Sequence, residues 1–293
     1  MEAFEYWPWL ILLVTALFGL VVGSFLNVVI YRVPIMMERE WRAERESTSA
    51  TESMTLPPAD RTFNLWWPPS ACPHCDQPIK PIENIPVLSY LWLRGQCKRC
   101  GGRISARYPL VEAGVALLSA LVAWHFGPTW SCLAALLFTW MLVALAAIDV
   151  DHYLLPDSMT LSLMWAGLLL SLVRVDGSPL FVDVQSSLLG AAAGYLSLWS
   201  IYHLFKLATG KEGMGHGDFK LLAALGAWLG WQMLPLIILL SAVVGAVAGM
   251  FMIAFRRHER SVPIPFGPYL AAAGWIAMLW GREIVNWYLD YWS

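Results

Sequence analysis

The chain has 293 residues, of which 58% are hydrophobic and 14% charged, with seventeen tryptophans. That balance lies far from a soluble globular protein and reads as a polytopic membrane protein. The formal net charge of −2 discriminates little, and no nucleic-acid partner is expected.

The first apolar segment, 7–31, is too long for a signal-peptide core and has no small-residue cleavage pattern after it. It is expected to be a retained spanning helix. Residues 34–108 follow as the only sizeable non-membrane region. Its opening, EREWRAERESTSATESMTLPPAD, is charged and Ser/Thr-rich and has no apolar period, so a flexible or helical lead-in is expected there.

Apolar segments resume at 110–126, 130–148, 159–173, 184–207, 221–231, 233–255 and 264–288. The stretch 219–255 would make a helix of roughly 55 Å, thicker than a bilayer core, so Gly230 to Pro235 is read as a turn between two short spans. Charge agrees with that reading. If 32–108 is cytoplasmic, eight crossings place 17 of the 19 Lys and Arg inside, including Arg256, Arg257 and Arg260, and leave only Arg174 and Arg282 outside. Both termini then fall on the periplasmic side. The expected fold is an all-α polytopic membrane protein of about eight transmembrane helices. A small cytoplasmic zinc-ribbon-like domain is inserted after the first helix. The parts are 1–33, 34–108 and 109–293.

Four of the five cysteines stand as CPHC and CKRC: Cys72, Cys75, Cys97 and Cys100, with 21 residues between the pairs. Two such pairs complete a tetrahedral four-thiolate zinc site, which is structural because no position is left open for water. Disulfides are disfavoured in the cytoplasm. A domain with so few apolar residues also needs a staple. His74 is expected to be a loop residue between ligands, and Cys132 a small buried side chain.

Acids beside apolar helices are candidates for function. Asp157, after Pro156 and before Ser158, stands where an N-cap belongs, and Asp151 and His152 fall in a short turn. Asp149 ends an apolar helix, where the macrodipole disfavours negative charge. Asp218 closes GMGHGD at the start of another helix, where an N-cap is the lesser alternative on local grounds. Gly213, Gly215 and Gly217 beside it leave room for another chain to approach. The topology puts Asp149 and Asp218 at the same membrane edge, although 68 residues separate them. Two facing carboxylates that share a proton can activate water and protonate a carbonyl, the chemistry of an aspartic protease. Helix polarity assigns the shared proton to Asp149 and the ionised form to Asp218.

GSFLNVVIYRVP (23–34), the two CxxC pairs, NIPVLSYLWLRGQC (84–97), RISARYPLVE (103–112), DVDHYLLPD (149–157) and GMGHGDFKLLAALGAWLG (213–230) together resemble the bifunctional type IV prepilin peptidases, or prepilin leader peptidases and N-methyltransferases. The resemblance covers nearly the whole chain. It implies a bacterial inner-membrane enzyme that removes the basic leader of type IV prepilins and type II secretion pseudopilins after a glycine. The enzyme then methylates the new amine with S-adenosylmethionine. It also implies Asp149 and Asp218 as the catalytic pair, Cys72, Cys75, Cys97 and Cys100 as zinc ligands, Gly215 and Gly217 as the loop beside the substrate backbone, and Gly95 as a position associated with methyl transfer. An ion-coupled transporter with intramembrane acids is the rival reading; it leaves the cysteine domain without a role.

Overall fold

The computed structural model describes residues 8–49, 63–211, 213–256 and 265–292. Arg257 and Arg260 of the charge argument and residues 50–62 of the lead-in lie outside the described residues. The chain divides into two compact units, Met1–Trp124 and His125–Ser293.

In the first unit, α1 runs Pro8–Ser49, α2 is the short helix Leu88–Trp92, and α3 is Arg107–Phe126. The lead-in expected to be flexible or helical is helical from 34 to 49, and α1 passes through Pro34 without a break. Proline removes one backbone hydrogen bond there. The Met, Glu, Arg and Ala residues that follow are good helix formers, and Glu38 and Arg42 pair at 3.5 Å across one exposed turn. α1 and α3 meet at glycines: a Cβ added to Gly19 would lie 2.9 Å from the Ala116 backbone, and one added to Gly23 2.7 Å from that of Glu112. Small residues that let two backbones close are the usual basis of helix pairing in lipid, where burial of apolar surface gives little drive.

The second unit holds α4 (Trp130–His152), α5 (Asp157–Leu170), α6 (Val184–Thr209), α7 (His216–Leu229), α8 (Leu234–Arg256) and α9 (Gly267–Trp292). Every predicted span corresponds to a helix. The turn expected near Gly230 separates α7 from α8, with Gly230 at φ +81°. Five of the described helices are long and apolar enough to cross a membrane: α1, α3, α4, α6, and α8 with its lead-in turn. α5 and α7 have fourteen residues each, about 21 Å, less than the thickness of a bilayer core.

α7 is the core of this unit. From Asp218 to Leu229 all its residues but Lys220 are buried, and it packs against α5, α6 and α9. Gly190 of α6 and Gly226 of α7 allow the closest of these crossings. Buried polar side chains find partners: Trp228 donates to the Leu163 carbonyl at 2.7 Å, Ser187 to the Ala227 carbonyl at 2.6 Å, and Trp275 to Thr139 Oγ1 at 3.1 Å. Cys132 is buried as expected. Among the described residues the all-α architecture carries one short hairpin: β1 (Arg174–Val175) and β2 (Ser178–Pro179) are antiparallel around Asp176 and Gly177, both with positive φ. That is the Asp-Gly hairpin turn, whose φ values match the twist of the strands.

Candidate functional sites

The two CxxC pairs fold as copies of one knuckle. In the first, Cys72 donates its N–H to the Gln77 carbonyl at 3.0 Å and its own carbonyl accepts from Asp76 at 2.9 Å. In the second, Cys97 donates to Gly102 at 2.8 Å and accepts from Gly101 at 2.9 Å. The residue after each second cysteine takes positive φ, Asp76 at 53° and Gly101 at 70°, and each knuckle is closed by a bridge, Ala71 with Pro78 and Gln96 with Arg103. His74 lies between ligands, with Nε2 3.4 Å from the Arg103 carbonyl, so it ties one knuckle to the other.

The four sulfurs lie within 4.8 Å of one another, and those of Cys72 and Cys100 are 3.8 Å apart. A tetrahedral ion with four sulfurs at about 2.3 Å sets neighbouring sulfurs ~3.8 Å apart, so the cluster has the dimensions of a four-thiolate metal site. The backbone N–H groups of Cys100 and Arg99 hold the Cys97 thiol down at about 6, whereas the Cys75 thiol, although the Gln77 N–H lowers it, is pushed up to about 11 by burial and by the neighbouring Cys72 and Cys100 sulfurs.

Gly95 stands just before the second knuckle at φ +67°, and an added Cβ would lie 2.9 Å from the Tyr90 hydroxyl oxygen. Its carbonyl accepts from Ile104 at 2.8 Å, closing the loop that carries Cys97 and Cys100. Gly95→Ala should therefore destabilise this loop by about 1–2 kcal/mol from backbone strain. Limited proteolysis of the full-length protein should show faster cutting after residue 94, and unchanged cutting would contradict this placement.

In the second unit the structure brings Asp149 and Asp218 together. Asp149 lies in the last turn of α4 and Asp218 in the first turn of α7, both buried at 6% and 7% exposure, and their carboxyl groups interact electrostatically. Neither is a cap. The N-cap of α7 is Gly215, in ordinary extended conformation, without a side-chain bond. Asp149 Oδ2 accepts the N–H of Gly267, the first residue of α9, at 3.0 Å. The polarity argument that set the two acids apart therefore fails, because each carboxylate stands at the N-terminus of a helix, α9 for Asp149 and α7 for Asp218.

Leu155 packs between the two sides. A Cβ on Gly217 would lie 2.7 Å from the Leu155 Cβ, and one on Gly267 would lie 2.7 Å from Asp149 Oδ2 and 3.2 Å from Leu155. Glycine at these two positions lets α7 and α9 close on the acids. A Cβ on Gly215 would stand 3.7 Å from Asp218 Oδ2 and meet nothing else within 4 Å, so its absence leaves space over that carboxylate. The remaining acids depart from expectation. Asp157 caps nothing; Pro156 holds the N-cap position of α5, and Asp157 pairs with Lys220 of α7 at 2.6 Å. Asp151 and His152 belong to the last turn of α4 instead of a loop, because Tyr153 in left-handed conformation ends the helix.

Gly267 and Lys220 escaped the sequence reading. The signal for Gly267 was the PIPFGPY run before the last span, and for Lys220 its place two residues past Asp218.

Comparison with known proteins agrees in both units. The bacterial peptidase A24 N-terminal domain matches residues 17–126 and the type IV leader peptidase family residues 136–250. Proteins named prepilin leader peptidase/N-methyltransferase are 58% identical in Aeromonas salmonicida, over 97% of this chain and 95% of that protein, and 56% identical in Pseudomonas aeruginosa, again over 97% and 95%. The Legionella pneumophila protein of that name is 46% identical, over 98% and 97%. No solved structure matches.

Proposed function

The chain belongs to the type IV leader peptidase family, and on that premise we propose that it cleaves the leader of type IV prepilins with Asp149 and Asp218 and then methylates the new N-terminal amine. The observation that carries the proposal is the meeting of these two buried carboxyl groups from helices far apart in sequence. A water held between them loses a proton to the ionised carboxylate as its oxygen attacks the scissile carbonyl. The protonated carboxyl gives its proton to the carbonyl oxygen. Collapse of the tetrahedral intermediate returns a proton to the leaving amine.

The Gly267 N–H fixes the Asp149 side chain, and the open space over Asp218 at Gly215 suits an extended peptide, while Gly217 lets Leu155 pack close beneath it. A basic leader retained on the cytoplasmic face, with the apolar pilin helix in the bilayer, would present its scissile bond at the membrane edge. Pseudopilins of type II secretion share that design and are assigned as further substrates. The location is the inner membrane, with the cysteine segment in the cytoplasm and both termini periplasmic.

Zinc is the ion assigned to Cys72, Cys75, Cys97 and Cys100, since four thiolates in closed tetrahedral array suit it and it would supply folding energy. S-adenosylmethionine is assigned as methyl donor from the name of the relatives, and none of the described residues is given a part in holding it. The division proposed on this reading is 1–33, 34–108 and 109–293, with methyl transfer in the middle part; α1 itself continues from the first part into the second.

The dyad reading makes a graded prediction. Gly267→Val should push Asp149 aside and lower the cleavage rate about 100-fold, the scale of a misplacement near 1 Å. Gly114→Ala, where an added Cβ meets nothing within 4 Å, should leave the rate unchanged. Equal rates for Gly267→Val and the parent, measured on a synthetic prepilin, would remove Asp149 from the reaction.

A further inference from the structure

Between the 3₁₀ turn Pro81–Asn84 and the end of α2, the first unit turns an apolar stripe outward. Ile82, Ile85, Leu88, Leu91 and Trp92 are all exposed, Trp92 at 79%. Ile82, Ile85, Leu88 and Leu91 recur every three residues, one turn of the short helices, and Trp92 adjoins the last of them. A water-soluble surface rarely carries so compact an apolar group.

Three features fix what covers it. The first is depth. α3 has twenty residues, about 30 Å, so its whole length is needed to cross a bilayer core. Glu112 lies five residues in from Arg107, ~7 Å below the end of the helix. The Glu112 carboxylate, 8% exposed, accepts the N–H of Val87 at 2.7 Å. The residue just before α2 is thus anchored to a group inside the span. Val87 also holds φ +59°, an outlier for a β-branched residue, and such strain persists only where surrounding contacts fix the backbone.

The second feature is the other anchor. Asn27 of α1 donates to the Tyr108 carbonyl at 3.1 Å, which sets the level of the helix pair. Arg32, a little over one turn further on and 6% exposed, donates to the carbonyls of Asn64 and Pro68 at 2.8 and 2.6 Å. Trp66 stacks on Phe25, with ring centroids 5.7 Å apart, on the span side of Asn27. Both ends of the segment are therefore held at the end of the α1–α3 pair. The third feature is charge: outside the cysteine cluster, residues 63–106 carry Lys80, Arg94, Lys98, Arg99 and Arg103 against Asp76 and Glu83, a net of +3 from five minus two, which falls to +1 when four thiolates and a zinc ion add −2. That excess is complementary to an anionic headgroup layer.

We propose that residues 82–92 form a membrane-embedded interfacial element, with the side chains of Ile82, Ile85, Leu88, Leu91 and Trp92 in the acyl boundary of an anionic bilayer. The element lies in the interface and does not span it, as amphipathic segments with tryptophan at the headgroup level do. Gly95 and the second cysteine knuckle follow it directly, so the element holds them against the lipid surface.

Photo-crosslinking tests this. The full-length protein would be placed in bilayer discs of phosphatidylethanolamine and phosphatidylglycerol, with a diazirine amino acid singly in place of Leu88, Leu91 or, as control, Arg42, which lies ten residues beyond Arg32 on α1. Mass spectrometry should find acyl-chain adducts at 88 and 91 and none at 42. Adducts to water alone, to a second copy or to an added prepilin at 88 and 91 would overturn the proposal. Hydroxyl-radical footprinting of the unaltered protein guards against misfolded variants. Trp92 should be shielded in the discs, and oxidation at the rate expected for its 79% exposure would overturn it equally.

Discussion

Asp149→Asn and Asp218→Asn should each lower prepilin cleavage by at least about 1,000-fold, within the range that a positioned acid or base contributes, while methylation of a precleaved pilin continues at the parent rate. The two losses should not add. The dyad acts as one unit, so the double variant should be no slower than either single one. Asparagine keeps the size of each side chain, and in Asp149→Asn the amide oxygen can still accept the Gly267 N–H, so the fold at the end of α4 should persist. A variant that retains a tenth of the parent activity would take its residue out of the reaction. Loss of methylation along with cleavage would point to unfolding.

The second large effect is on stability. Cys72→Ser together with Cys75→Ser removes half of the sulfur cluster and should release the bound metal. Structural zinc in small domains contributes on the order of 10 kcal/mol at neutral pH, far more than the few apolar contacts of residues 63–106 can offset. Metal analysis under reducing conditions should fall from one zinc per chain to none, and trypsin should then cut between residues 70 and 106. Peptide cleavage by the second unit is expected to survive, since it holds its own core around α7. A parent protein without stoichiometric metal would sink the four-thiolate reading.

Much of this was legible in the residues because it depends on short-range pattern. The long helices follow from runs of apolar side chains, and the turn at Gly230 from the length a bilayer permits. The cysteine knuckles are encoded by spacing, and the residue after each pair, Asp76 or Gly101, takes the positive φ that closes the loop. Asp149 and Asp218 could be nominated because acids at the edge of apolar helices are costly. What the residues concealed depends on contacts between distant elements. Asp157 looks like a cap when judged by Pro156 and Ser158, yet its partner is Lys220, 63 positions away. In the sequence Asp149 stands only at a helix C-terminus, yet Gly267, 118 positions on, brings the start of α9 to it. Helix polarity alone therefore does not assign the shared proton. The sequence reading bounds the first part at residue 33, but the helix formers beyond Pro34 carry α1 on to Ser49.

The most direct measurement uses full-length protein, a synthetic prepilin and mass spectrometry, with and without S-adenosylmethionine, for the parent and for Asp218→Asn. The parent should release the leader after its glycine in both mixtures, and the product should gain one methyl group only where the donor is present. Asp218→Asn should leave the precursor whole. Intact precursor with the parent, or equal cleavage by Asp218→Asn, would contradict the account.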